Sequence, residues 1–327
     1  MTSETPIRVA VVGAGEFGKN HVRVWKTMPG AELAGIVDAN AERAVKVAAE
    51  FGTRVLPGIE SLAAEGVSAV SLAVPTKVHA SVGCQLLESG IDVLVEKPMA
   101  ASLEDADRLI VAAARARRIL QIGHVERFNP AVVAAQKIVQ RPMFFEIHRL
   151  GIFTQRSLDI DVVYDVMIHD LDILLSLVDS PVADLKAVGI PVITEKVDIA
   201  QARIEFETGT VANLTASRVS TEKVRKMRFF QEHEYISLDF TRQDALRIKV
   251  TPGAAQPIGF EKLETALEEP LDAELRAFLD SARTRKPAVV DGVAGRRALA
   301  LADSVMTGIQ DHARRVQLGA FSPQDIR

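Results

Sequence analysis

The chain has 327 residues, a net charge of −4, 48% hydrophobic and 25% charged residues, and one cysteine. That length suffices for two domains with substantial cores, and the composition is that of a globular protein rather than a disordered one. The acidic balance argues against nucleic acid or an anionic membrane as the main partner, and the lone Cys84 rules out an internal disulfide and a cysteine-built metal cluster.

Ile7 to Val12 is an almost unbroken apolar run, the pattern of a parallel strand buried on both faces. It ends in Gly13-Ala14-Gly15-Glu16-Phe17-Gly18, a G-x-G-x-x-G sequence. Gly13 allows the tight turn, Gly15 lets a pyrophosphate approach the backbone, and Gly18 lets the next helix pack on the strand. That helix, Glu16 to Met28, turns its free N–H groups and positive dipole end toward the phosphates. A second strand, Leu33 to Val37, ends at Asp38, where a carboxylate binds the adenine ribose hydroxyls and repels a 2′-phosphate. This favours NAD over NADP, with Arg43 one turn on as the complicating charge.

Ala41 to Phe51 reads as a helix stopped by Gly52, Thr53 to Leu56 as a strand, and Ile59 to Glu65 as a short helix. Ala69 to Val74 is a strand closed by Pro75. Lys77 to Ser89 is a helix, in which Cys84 is expected to be a buried, inert thiol. Asp92 to Val95 is a strand followed by Glu96-Lys97-Pro98. Ser102 caps a helix running to Arg117, and Ile119 to Ile122 is the sixth strand. The alternation predicts a doubly wound parallel sheet, a Rossmann domain, over residues 1–122.

Residues 123–327 follow another pattern. Ala131 to Gln140 is helical, Met143 to Ile152 a strand, and Asp165 to Val178 a helix. Ile199 to Glu207 alternates apolar and polar residues as an antiparallel strand with one wet face does, and Thr208-Gly209 turns it into Val211 to Val219. Strands follow at Val224 to Phe230, Tyr235 to Phe240 and Leu246 to Val250, then a loop from Thr251 to Gly259. Helices at Leu271 to Thr284 and Val293 to Val316 close the chain. The second domain is therefore α+β with an open, mainly antiparallel sheet. No run is long and apolar enough to span a bilayer and the N-terminus has no signal-peptide pattern, so a cytoplasmic protein is expected.

Two further groups carry chemistry. Lys97 follows a strand at the carboxyl edge of the sheet, where open α/β folds bind ligands, and could steady a substrate oxyanion; a plain charged loop is the alternative. On the helix from Asp165, offsets of four and seven bring Asp165, His169 and Asp172 to one face, so that a carboxylate could orient His169 as a general base. A satisfied core histidine is the alternative. A metal site is disfavoured because no second histidine stands at ligand spacing.

In this order, the glycine motif, Glu96-Lys97-Pro98 and the Asp165…His169 helix resemble the glucose–fructose oxidoreductase / inositol dehydrogenase / rhizopine-catabolism family along nearly the whole chain. The resemblance implies an NAD-dependent dehydrogenase with Lys97, Asp165 and His169 as its catalytic set. It places cofactor contacts at Gly13, Gly15, Glu16, Phe17, Gly18 and Asp38, and further ones at Pro75, His79, Glu96 and Lys97. Gly123 to Ala131 (GHVERFNPA) and Arg156 to Val178 further resemble the family's bacterial branch that oxidises UDP-N-acetylglucosamine at the 3-position. That implies a UDP-sugar substrate held by Arg127, Asn129, Gln155, Arg156, Asp165 and His169, with Arg149 nearby, and a homodimer or homotetramer formed through the large sheet. The alternatives are a dehydrogenase of a free sugar or polyol such as inositol, and a non-catalytic NAD-binding regulator.

Overall fold

The computed structural model describes residues 5–154 and 160–316. The chain forms two compact units. One takes the residues up to Phe128 together with Glu268–Arg296; the other takes Asn129–Leu267 and the chain from Arg297.

The first unit runs β1 (Ile7–Val12), α1 (Glu16–Thr27), β2 (Ala31–Val37), α2 (Ala41–Phe51), β3 (Ala69–Leu72), α3 (His79–Glu88), β4 (Asp92–Glu96), α4 (Leu103–Ala116) and β5 (Leu120–Gly123). The strands form one sheet in the order β2-β1-β3-β4-β5, parallel throughout. Val9, Ala10 and Val11 are fully buried, as an apolar run covered on both faces requires. The order reverses between β1 and β3, and the carboxyl ends of strands at such a switch point are where open α/β sheets bind ligands. Ser102 caps α4 as the sequence predicts, accepting the Asp105 N–H, and the structure adds a cap at the start of α2, where the Asn40 side chain accepts the Arg43 N–H.

The sequence predicts six strands here and the sheet has five. Thr53–Leu56 contributes only a bridge from Val55 to Ile36. Pro57-Gly58 follows at once and leaves no residue to continue the ladder. The helix expected at Ile59–Glu65 is a single 3₁₀ turn, Ile59–Ser61.

The second unit begins with α5 (Pro130–Gln136) and β6 (Phe144–Leu150). A wide π-helical turn, Val163–Met167, leads into α6 (Ile168–Leu177). Seven strands follow: β7 (Val182–Ile190), β8 (Ile199–Phe206), β9 (Val211–Ser217), β10 (Val224–Gln231), β11 (Glu234–Asp239), β12 (Asp244–Val250) and β13 (Ile258–Lys262). With β6 they make one sheet ordered β13-β12-β11-β10-β6-β9-β8-β7, in which β6 and β9 are parallel and all other neighbours antiparallel. Phe145, Ile147, Met227, Phe229, Ile236 and Leu238 share one buried core with Ile168, Leu171 and Leu174 of α6. The alternate residues form an aromatic row on the opposite face, with Phe144 5.8 Å from Phe230 and Phe230 5.2 Å from Tyr235 between ring centroids. The sequence does not reveal β7, and β13 begins inside the expected loop. Both are edge strands, largely exposed and without clean alternation.

Two helices follow, α7 (Pro270–Thr284) and α8 (Gly292–Arg315). A boundary at 122/123 divides the chain once, yet α7 belongs to the first unit. Leu275, Phe278 and Leu279 lie in one core with Val22, Val24 and Trp25 of α1, and the Trp25 and Phe278 rings meet edge-on at 6.4 Å. Burying a side chain such as Phe278 is worth about 1.5–3 kcal/mol, enough to draw the late helix back to this sheet. Among the described residues no helix is long and apolar enough to cross a membrane.

Candidate active site

The glycine turn lies at the end of β1. Gly13 has φ +94°, and a Cβ there would stand 2.5 Å from the Ala73 carbonyl oxygen; a Cβ on Gly18 would stand 1.7 Å from the Gly13 oxygen. Both positions therefore demand glycine to close the turn. Gly15 differs: a Cβ there meets nothing within 4 Å, and no side chain caps α1 behind it. The turn keeps open space in front of a helix N-terminus, which fits a dinucleotide pyrophosphate. Glu16 and Phe17 are exposed in the first turn of α1, Phe17 to 57%.

Asp38 follows β2. Its carboxylate is 1% exposed and accepts the Ala14 N–H (2.6 Å), the Asn40 N–H (2.7 Å), and Arg43 Nε (2.9 Å) and Nη2 (2.7 Å). Burial opposes its ionisation, but Arg43 and the two backbone donors outweigh that and hold its pKa below the usual carboxylate value.

Glu96 ends β4 and Lys97 follows it. Glu96 is buried, and its Oε1 accepts from Nε2 of the fully buried His21 at 2.9 Å, while Oε2 faces the Lys97 N–H at 3.3 Å. Burial pushes the Glu96 pKa up; His21, Lys97 and His79 more than offset it and keep the group acidic. Gly123 makes room, since a Cβ there would stand 2.8 Å from Glu96 Oε1. Lys97 is half-buried. Pro75 is exposed, whereas His79 is buried and sits between two turns, with Nδ1 3.0 Å from the Pro98 carbonyl and Nε2 2.8 Å from the Val74 carbonyl. Both carbonyls only accept, so a neutral ring donates to one of them at a time. Burial lowers the His79 pKa, against the pull of those carbonyls. His79 thus tethers the β3 and β4 turns. Arg127 is half-buried in a 3₁₀ turn, Val125–Phe128. Cys84 is half-buried rather than buried, and desolvation raises its thiol pKa.

In the second unit, Asp165 lies in the π turn and His169 in α6, both half-buried. The offsets of four and seven assume 3.6 residues per turn throughout. The wider turn changes the spacing at Asp165, where an offset of four still amounts to about one turn, while His169 and the buried Asp172 lie three residues apart on α6. The turn is anchored: Tyr164 Oη donates to Asp303 at 2.7 Å, and Arg218 Nη2 donates to the Ile160 carbonyl. Arg149 is no surface cation. It is 4% exposed, its Nε and Nη2 donate to Asp170 at 2.7–3.0 Å, and its guanidinium lies 4.8 Å from the Phe240 ring centroid. Asn129 is 2% exposed; its Oδ1 accepts the Ala131 N–H at the start of α5 and its Nδ2 donates to the Phe240 carbonyl. Gln155 and Arg156 lie outside the described residues. Among the described residues no group of three or more His, Cys, Asp or Glu could hold a metal ion.

The sequence reading misses His21, whose only signal is a polar residue beside Val22, Val24 and Trp25 in α1. It also misses the pairing of Asp170 with Arg149, which stand 21 residues apart.

A profile described as "Oxidoreductase family, NAD-binding Rossmann fold" matches residues 7–124, and one for the GFO/IDH/MocA C-terminal domain matches residues 132–237. The UDP-N-acetylglucosamine 3-dehydrogenase of Acidithiobacillus ferrooxidans is 39% identical over 94% of this chain and 99% of its own. The chain belongs to the GFO/IDH/MocA oxidoreductase family. The solved structure of that A. ferrooxidans enzyme superposes with a TM-score of 0.88 at 38% identity, again over 94% and 99% of the two chains. Another relative, the scyllo-inositol 2-dehydrogenase (NAD(+)) of Bacillus subtilis, is 27% identical over 89% of this chain and 90% of its own. Family membership makes the first unit's glycine turn and Asp38 part of an NAD-binding Rossmann domain.

Proposed function

We propose that the protein oxidises a sugar-nucleotide hydroxyl with NAD⁺, and that its substrate is UDP-N-acetylglucosamine, converted to the 3-keto form. The observation that carries this reading is the 39% identity along 94% of the chain with the A. ferrooxidans enzyme. The glycine turn, Lys97 and His169 support it. Gly13, Gly15, Gly18 and Asp38 would hold NAD⁺, which supplies the hydride acceptor. His169, its tautomer fixed by Asp165, takes the hydroxyl proton, and the Lys97 ammonium steadies the alkoxide as the carbonyl forms. Glu96 and His21 hold the Lys97 turn in place, and His79 ties it to the β3 turn. Arg127, Gln155 and Arg156 supply cations and donors for the diphosphate. Asn129 and Arg149 are left out of that set, because both are occupied inside the second unit.

We also assign a homo-oligomer, a dimer or tetramer formed through the outer face of the large sheet. Its support is the aromatic row of Phe144, Phe230 and Tyr235 with Ile258 and Phe260, which are 56% and 71% exposed. A dehydrogenase that consumes NAD⁺ and a nucleotide sugar works where both are made, so we place it in the cytoplasm. The substrate test measures NADH formation with UDP-N-acetylglucosamine against free N-acetylglucosamine, glucose and myo-inositol, with a carbonyl trap to draw the uphill oxidation forward. The nucleotide sugar is expected to dominate in kcat as well as KM, since binding energy from the remote nucleotide orients the sugar. A comparable kcat/KM for any free sugar or for inositol would replace this reading with a polyol dehydrogenase.

A further inference from the structure

The carboxylate of Asp38 is fully subscribed. A carboxylate offers about four lone-pair positions, and four donors already hold them: Ala14 N–H, Asn40 N–H, Arg43 Nε and Arg43 Nη2, at 2.6 to 2.9 Å. A ribose diol that binds this carboxylate must take two of them. The Ala14 and Asn40 donors are backbone groups, fixed by the glycine turn and by the start of α2, and they cannot leave. Arg43 can. Its own N–H is held by the Asn40 cap at 2.9 Å, so its backbone stays in place. Its side chain is 48% exposed and free to swing toward solvent. Only the two positions that Arg43 holds can be vacated.

The displaced guanidinium remains tethered five residues from Asp38, beside the hydroxyls that replaced it. There it is a two-pronged donor of the kind that fits a phosphate. We propose that Arg43 is a displaceable latch on Asp38, which weakens binding of NADH and supplies the cation for a 2′-phosphate, so that the protein takes NADPH as well and Arg43 sets the ratio. This rests on the NAD-binding reading and adds to it a cofactor-selectivity residue. Asp38 alone would exclude NADPH; the pair makes the preference graded.

The test is calorimetric titration of the whole protein, without sugar substrate, with NADH and NADPH, for wild type, Arg43→Ala and Arg43→Lys. Arg43→Ala is expected to tighten NADH by about 2–5-fold, the worth of a half-exposed ion pair. It is expected to weaken NADPH by about tenfold, the low end for a hydrogen bond to a charged group. Arg43→Lys keeps the charge without the fork and should hold most of the NADPH affinity. Thermal melts without cofactor confirm that each variant is folded, as an exposed side chain allows. Weaker NADH binding by Arg43→Ala, or a NADH-to-NADPH ratio that stays within about twofold of wild type, would overturn the latch. A wild-type protein that binds neither nucleotide would overturn the cofactor reading and the latch with it.

Discussion

Of the three motif glycines, Gly15 and Gly18 separate the needs of the cofactor from the needs of the fold. Gly15 has φ −68° and ψ −168°, backbone that alanine adopts freely, and an added methyl there meets nothing within 4 Å. Gly15→Ala forfeits a slightly better helix cap but makes the unfolded chain less flexible, so the free protein should stay within about 0.5 kcal/mol of wild type. The methyl instead projects into the space where the pyrophosphate approaches the backbone. Losing one charge-assisted bond costs about 1.5–3 kcal/mol, or roughly 10–150-fold in NADH affinity. Gly18→Ala behaves oppositely. Its methyl would stand 1.7 Å from a backbone oxygen, so α1 must move, at about 1–3 kcal/mol or more. The assay pairs a thermal melt of the free protein with an NADH titration. Gly15→Ala should melt like wild type and bind NADH poorly, whereas Gly18→Ala should melt early. Gly15→Ala that binds NADH within twofold of wild type would show that the pyrophosphate does not sit on this turn.

Lys97→Ala and His169→Ala should each lower kcat about 10²–10⁴-fold while NADH still titrates to a near-normal Kd; wild-type turnover by His169→Ala would make that histidine structural. Asp170→Ala strands the buried Arg149 charge and should cost about 3–5 kcal/mol in urea unfolding, whereas Arg149→Met with Asp170→Leu should recover most of it. A single variant as stable as wild type would contradict the buried pair. Glu96 has a pKa held below its ordinary value of 4.5, so its contribution is present above that pH and is lost as pH falls through the lower folded value. Glu96→Gln should therefore be less stable than wild type at neutral pH and flatter in its melting temperature between about pH 5 and 3; an unchanged acid slope would count against the His21–Glu96 pair.

The sequence by itself determined the elements whose signal is local. A buried run ending in Gly13-x-Gly15-x-x-Gly18 needs only its own backbone to declare the turn, and the alternation at Ile199–Phe206 needs only one covered face. Ser102 announces a helix start because a cap acts within three residues. Tertiary structure alone decided what depends on distant partners. Arg149 reads as a free cation until Asp170 and Phe240 bury it, and Asn129 reads as a ligand until its amide is taken by a cap and a carbonyl 111 residues away. His21 gains a role only when α1 packs against the end of β4. Val163–Met167 widens into a π turn that 3.6-residue spacing cannot express. The helix Pro270–Thr284 joins the first unit because its apolar stripe finds Trp25, a choice made by packing some 250 residues away along the chain. Arg43 shows the same division: its place one turn after Asp38 is written in the sequence, and its hold on the carboxylate exists only once Ala14, Asn40 and Asp38 are folded together.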